Sequence, residues 1–165
     1  MKCYSSKMKQ KETAILLHNI RSTHNVGSIF RTADAVGVDK IYISGYTPTP
    51  IDKFGRFRKD IAKVALGAEK NVGWEQIDDS KKIIKKLKKE NYQIIGLEQA
   101  KNSVDYKKVK TEKKILIVVG NEVGGIDREI LKLCDVLAEI PMKGKKESLN
   151  VSVAFGVALF RMFNI

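Results

Sequence analysis

Cysteine is almost missing from this chain. Among 165 residues only Cys3 and Cys134 carry a thiol, far apart and in no metal-ligand spacing. Two such residues do not make a disulfide framework, so both are expected to be reduced. Histidine is equally scarce, with His18 and His24 alone. That leaves too few soft ligands for a structural zinc site, and no metal is expected. Long apolar runs are also absent: none reaches the roughly 18–20 residues that a bilayer span needs. Residues 1–12 are polar and basic, with no apolar secretory core. They are expected to form a flexible basic lead-in to a single domain over 1–165, working in the cytoplasm. Proline occurs only at 48, 50 and 141, and no low-complexity linker or internal repeat divides the chain.

Charge of one sign is plentiful. There are 31 Lys and Arg against 19 Asp and Glu, a formal net charge of +12. Such an excess attracts polyanions through the protein's field and counterion release. A lysine-rich background composition would explain it equally well. The run K-K-I-I-K-K-L-K-K at 81–89 reads as the solvated face of an amphipathic helix, with Ile83, Ile84 and Leu87 turned inward.

Apolar, β-branched runs alternate with helical patterns. Residues 14–18, 40–44, 92–97, 115–119 and 136–140 read as strands, and their continuous apolarity suits a parallel sheet covered on both faces. Residues 26–36, 61–68, 80–90, 127–133 and 149–163 read as helices. This alternation predicts an α/β fold with helices on both faces of a mostly parallel sheet. Residues 45–58 hold two prolines and two glycines and read as a loop.

Two helices carry further information. Asn25 is a suitable N-cap for the helix after it, and Val26, Ile29, Phe30 and Ala33 follow the spacing of a buried stripe. Arg31 falls off that stripe, with Asp34 at i+3 as an ion partner. It reads either as an ordinary surface residue or as a ligand-facing one. The final helix is apolar on nearly all sides, from Val151 to Phe163. It needs cover on every face, and a partner subunit is a natural cover in so short a chain.

Three segments stand out, in this order: N-V-G-S-I-F-R-T-A at 25–33, G-N-E-V-G-G at 120–125, and I-P-M-K-G-K-K-E-S-L-N at 140–150. Together they resemble the SpoU (TrmH-like) family of RNA 2′-O-ribose methyltransferases, within the SPOUT superfamily, from about residue 15 to 163. The resemblance implies a trefoil knot in the C-terminal half and S-adenosylmethionine as cofactor. It implies an RNA partner, tRNA or rRNA, and a homodimer through the last helix. Leu97, Gly120, Asn121, Glu122, Gly125, Ile140, Met142, Ser148 and Leu149 would bind the cofactor. Arg31, Asn25, Glu122, Ser148 and Asn150 would be catalytic, with Arg31 and Asn150 drawn from different subunits. A guanidinium stays protonated, so Arg31 suits clamping phosphate and stabilising alkoxide charge better than acting as a base. Glu122 would orient Arg31 or a neighbouring loop, and Asn25 and Ser148 read alternatively as plain helix caps.

RNA contacts are expected at Lys53, Arg56 and Arg58, which are interleaved with Phe54 and Phe57, and at Lys143, Lys145 and Lys146 beside the third segment. A basic loop with one phenylalanine in the core is the plainer reading of 53–58. An RNA-binding protein without turnover, and an enzyme methylating a base nitrogen, are the competing functions.

Overall fold

The computed structural model describes residues 11–165; most of the expected lead-in therefore lies outside the described residues. The end of that segment is not a lead-in, because Glu12 already belongs to the first strand. Seven strands form one sheet: β1 (Glu12–His18), β2 (Lys40–Ser44), β3 (Gly73–Ile77), β4 (Gln93–Leu97), β5 (Val104–Asp105), β6 (Lys114–Val119) and β7 (Val136–Glu139). Their order is β3-β2-β1-β6-β4-β7-β5, and every pairing is parallel.

The helices are α1 (Thr23–Val36), α2 (Lys59–Ala65), α3 (Ala68–Asn71), α4 (Ser80–Lys89), α5 (Arg128–Leu131) and α6 (Val151–Phe163). They cover both faces, and the strand alternation divides the core accordingly. Ile15 and Leu17 of β1 and Ile115, Ile117 and Val119 of β6 join Ile29, Phe30, Phe155 and Leu159 on one side. Ala14, Leu16, Leu116 and Val118 join Ile84, Leu87 and Ile130 on the other. Burial of both faces is why these strands read as unbroken apolar runs.

Several boundaries differ from the sequence expectation. The helix expected over 61–68 is two short helices. Leu66 and Gly67 both adopt left-handed backbone, with φ of 53° and 95°, and break the helix between them. Strands β3 and β5 were not expected. They are the two edges of the sheet, β3 is mostly solvent-facing, and β5 has only two residues. Edge strands lack the double burial that writes an apolar run.

The contact of α1 with α2 depends on a residue with no side chain. A Cβ on Gly27 would lie 2.8 Å from the Ile61 carbonyl oxygen and 2.9 Å from Val64 Cβ. Alanine gains about 1 kcal/mol over glycine in a helix interior. Overpacking against backbone costs about 1–3 kcal/mol. Gly27→Ala is thus expected to be net destabilising, by about 1 kcal/mol, as a lower urea midpoint. An unchanged or raised midpoint would show that the α1–α2 contact yields freely.

Candidate active site

The C-terminal ends of β4, β6 and β7 open into a cleft of about 230 Å³. Ligands in open α/β sheets lie in this position, beyond the carboxyl ends of the strands. Its lining includes Leu97, Gly120, Asn121, Glu122, Gly125, Ile140, Met142, Ser148 and Leu149, and also Asn150. Residues scattered over 97–150 are therefore gathered by the convergence of three strand ends. Sequence reasoning missed Glu139, Val151 and Ala154, which share the lining. Glu98 and Gln99, which follow Leu97 in the loop expected at this strand end, line it too.

The loop at 120–126 is held from two directions. Its Asn121 and Gly125 form a tight antiparallel bridge, N to O at 3.0 and 2.9 Å. The Asn121 side-chain oxygen accepts from the amides of Val123 and Gly124. The Glu98 carboxylate accepts from Ile126 N at 2.8 Å. Gly125 has φ of 67°, and its Cα packs so close to Glu98 that a Cβ would lie 2.2 Å from Oε2. The positive φ is what favours glycine there.

Glu122 joins this loop to the start of α1. Its Oε2 accepts from Arg21 N at 3.0 Å, and its Oε1 from Ser22 N at 3.1 Å and from Asn25 Nδ2 at 2.8 Å. A carboxylate only accepts, so it draws the Asn25 amide nitrogen toward itself. The Asn25 oxygen then faces α6, where it accepts from Asn150 Nδ2 at 3.0 Å. Asn150 in turn caps α6, accepting from Ser152 N at 2.9 Å and Ser152 Oγ at 2.7 Å. One polar chain, Glu122–Asn25–Asn150, thus links all three motif segments.

That chain corrects two capping expectations and decides a third reading. Asn25 does not cap α1. Ser22 does, accepting from Asn25 N, and Asn25 sits one turn inside with only 8% of its surface exposed. Ser148 caps nothing, since Asn150 takes that place. Of its two expected roles Glu122 takes the second: it holds the loop before α1, and no hydrogen bond or ion pair joins it to Arg31 among the described residues. The helix begins at Ser22 because the chain Ser22-Thr23-His24 offers an earlier hydroxyl cap, three residues before a side chain that is needed elsewhere.

Burial pushes the Glu122 carboxyl up, but the amides of Arg21 and Ser22 and the Asn25 side chain outweigh it. The group is held below its ordinary value of 4.5. A lowered folded-state pKa contributes stability that is complete above the unfolded value and fades as pH falls through the folded one. Glu122→Gln should lower stability by about 1–3 kcal/mol near neutrality, because an NH2 then meets a backbone N–H. The deficit should shrink as the pH falls well below 4.5, where the wild-type carboxyl is itself protonated. Urea midpoints across that range test this, and a pH-independent deficit would refute it.

Other candidate residues lie outside the cleft. Arg31 is exposed on α1, and no ion pair joins it to Asp34 among the described residues. Lys143, Lys145 and Lys146 are exposed on the loop that leads from Met142 to Ser148. In the 45–58 loop both Phe54 and Phe57 are exposed, at 68% and 61%, so neither ring enters the core. Arg56 is tied to Asp52, Nη2 to Oδ2 at 2.9 Å, and Arg58 is partly buried. Among the described residues no cluster of three or more His, Cys, Asp or Glu is placed to hold a metal. No helix there is long and apolar enough to cross a membrane.

A parallel sheet with a cleft at its strand ends, walled by these three segments, defines a class. The family model of the SpoU rRNA methylase family matches residues 12–160, and the chain belongs to that family. It is 33% identical over 163 residues to a Staphylococcus aureus protein assigned to the TrmH family of tRNA/rRNA methyltransferases, covering 97% of this chain and 63% of that one. It is 34% identical over 152 residues to an Aquifex aeolicus tRNA (guanosine(18)-2′-O)-methyltransferase, covering 92% of this chain and 69% of the relative. The AdoMet-bound rRNA methyltransferase of Sinorhizobium meliloti superposes with a TM-score of 0.84 at 28% identity, over 94% of this chain and 57% of that one. The chain thus spans less than two thirds of the staphylococcal relative.

Proposed function

We propose that this chain methylates a ribose 2′-hydroxyl of structured RNA, tRNA before rRNA, with S-adenosylmethionine as donor. The observation that carries this reading is the Glu122–Asn25–Asn150 chain at the rim of the strand-end cleft. It is supported by membership of the SpoU family and by the 2′-O-methyltransferase name of the A. aeolicus relative.

The cleft fits the donor. Leu97, Ile140, Met142, Leu149 and Ala154 supply apolar walls for an adenine, and the strand ends supply backbone groups at its edge. Glu98, Glu122 and Glu139 bring carboxylates into the same lining, suited to a cationic ligand. When bound, the cofactor supplies a methyl group on a sulfonium centre. The chain must do the rest: exclude water, hold the acceptor ribose and stabilise its oxygen as the proton leaves. Asn25 and Asn150 hold each other rigidly at the rim, and the backbone ends that Asn150 caps position the ribose. Arg31 clamps the acceptor's phosphate, and the three lysines of the 143–146 loop hold the flanking backbone.

A second copy of the chain completes the site. The inner face of α6 is buried through Phe155, Ala158, Leu159 and Met162. Val153, Val157 and Phe160 leave an apolar stripe on its outer face, exposed by 49%, 39% and 39%. A homodimer through that stripe would bring one subunit's Arg31 to the other's cleft.

The test is methyl transfer from labelled S-adenosylmethionine to bulk tRNA and, separately, to rRNA, with nucleoside mass spectrometry of the digest. A 2′-O-methylnucleoside in one pool is the expected result. A base-methylated product would overturn the acceptor assignment. RNA binding with neither product nor cofactor binding would make the chain a binding module.

A further inference from the structure

A second cavity, of about 420 Å³, lies beside the cleft, between the end of β2 and the 45–58 loop. Its walls include Tyr46, Phe54, Arg58 and Gln76. One hydrogen bond joins the two sites: Asn121 Nδ2, from the cleft lining, donates to Tyr46 Oη at 2.9 Å. We propose that this cavity binds an unpaired nucleotide of the RNA, a neighbour of the one whose ribose enters the cleft. The proposal rests on the reading of the chain as an RNA-modifying protein and names how that RNA is selected.

Three features fit a nucleotide. First, the cavity has stacking surfaces. Tyr46 and Phe54 expose 60% and 68% of their surface. The Arg56 guanidinium sits 4.9 Å from the Phe54 ring centre. Asp52 fixes that guanidinium through Nε at 3.0 Å and Nη2 at 2.9 Å. The same carboxylate ties the turn by accepting from Phe54 N and Arg56 N. Unstacked RNA bases are held on aromatic rings and arginine planes of this kind.

Second, a donor is waiting. The Nε of Arg58 is buried and has no hydrogen-bond partner. Buried side-chain donors are nearly always paired, so an unpaired one calls for a ligand or another explanation. A phosphate oxygen satisfies a guanidinium in both charge and geometry. Lys53 adds a second cation on the same wall, 5.1 Å from the Phe54 ring centre.

Third, the base edge has a reader. The Thr47 hydroxyl is already engaged, accepting from Ile20 N at 2.9 Å and donating to Leu17 O at 3.3 Å. Gln76 is exposed and makes no side-chain hydrogen bond among the described residues. Its amide offers a donor and an acceptor together, which can pair with the edge of one base.

The experiment compares wild type, Phe54→Leu, Arg58→Gln and Phe57→Leu. Phe57 is an equally exposed ring of the same loop that does not line the cavity. Two readouts are taken: fluorescence anisotropy with a labelled single-stranded oligoribonucleotide of mixed sequence, and KM and kcat for methylation of the RNA pool. The Phe54 and Arg58 variants should bind the oligonucleotide about tenfold more weakly, as lost base stacking predicts. Their KM should rise by a similar factor, while kcat and calorimetric S-adenosylmethionine binding stay as in wild type. Thermal melts check that Arg58→Gln still folds, and the exposed Phe54 side chain gives an independent variant. Wild-type affinity and KM in both variants would overturn the inference. An equal loss in Phe57→Leu would also overturn it, replacing a cavity with a diffuse basic surface. If wild type methylates no RNA, the functional reading fails on that result alone, and the anisotropy arm still decides the subsite.

Discussion

Gly120→Ala is expected to abolish cofactor binding and to cost about 3 kcal/mol of stability, at the top of the usual range for overpacking. The added Cβ would lie 2.4 Å from the Gly125 carbonyl carbon and oxygen and 2.5 Å from Ile126 N. All three are backbone atoms, and they belong to the loop that forms the cleft floor, so no rotamer change relieves the clash. Gly125→Ala makes a useful contrast. Its neighbour is the free end of Glu98, which can swing away. The remaining costs are a left-handed alanine, about 1–2 kcal/mol, and the loss of the Glu98–Ile126 bond. Cofactor binding should therefore suffer more in Gly120→Ala, whose clash is with backbone, than in Gly125→Ala. Calorimetric titration with S-adenosylmethionine and urea denaturation measure both quantities. Near-normal cofactor affinity in Gly120→Ala would show that the 120–126 loop is not part of the cofactor site.

Arg31→Ala is expected to lower turnover by about 100–1,000-fold, the usual cost of losing one donor to a developing oxyanion. Its stability should stay within about 0.5 kcal/mol of wild type, because Arg31 is an exposed residue without an ion pair among the described residues. Cofactor affinity should be unchanged, since Arg31 does not line the cleft. Within one chain Arg31 is separated from the cleft that Asn150 lines, and the proposed dimer closes that gap. A complementation experiment tests this directly. Arg31→Ala and Asn150→Ala chains are each expected to be nearly inactive alone. When mixed and allowed to exchange, half the dimers are heterodimers with one whole site each, which restores about a quarter of the wild-type activity. No recovery on mixing would place both residues in one subunit's site. Loss of cofactor binding in Arg31→Ala would assign that residue a different role.

The parts of the fold that were legible share one physical cause. Strands β1, β2, β4, β6 and β7 lie inside the sheet, and burial on both faces forces unbroken apolar runs. Strands β3 and β5 lie at the edges, where solvent relaxes that demand, and both passed unseen. The helix over 61–68 failed for a different reason. Its apolar pattern runs through Gly67, and the break at Leu66 and Gly67 comes from left-handed backbone that such a pattern does not record.

At the site, residue types were readable and their partnerships were not. The motifs singled out Asn25, Glu122 and Asn150 as polar residues at the ends of apolar elements. Helix-capping rules then assigned Asn25 to its nearest backbone, because local spacing is all those rules contain. Only the folded chain places Glu122, 97 positions away in sequence, within 2.8 Å of Asn25. A buried amide flanked by a carboxylate and a second amide is better satisfied there than at a helix cap. The cavity beside Tyr46 was hidden in the same way. Its walls come from a loop and an edge strand with no common pattern, and the unpaired Nε of Arg58 becomes visible only when burial is known. The sequence by itself determined the types of the doubly buried elements, the family and the chemistry available, since these follow from local periodicity and short motifs. The tertiary structure decided which side chains hold each other and which remain free for a ligand, because contacts between distant residues are set by strand order and packing.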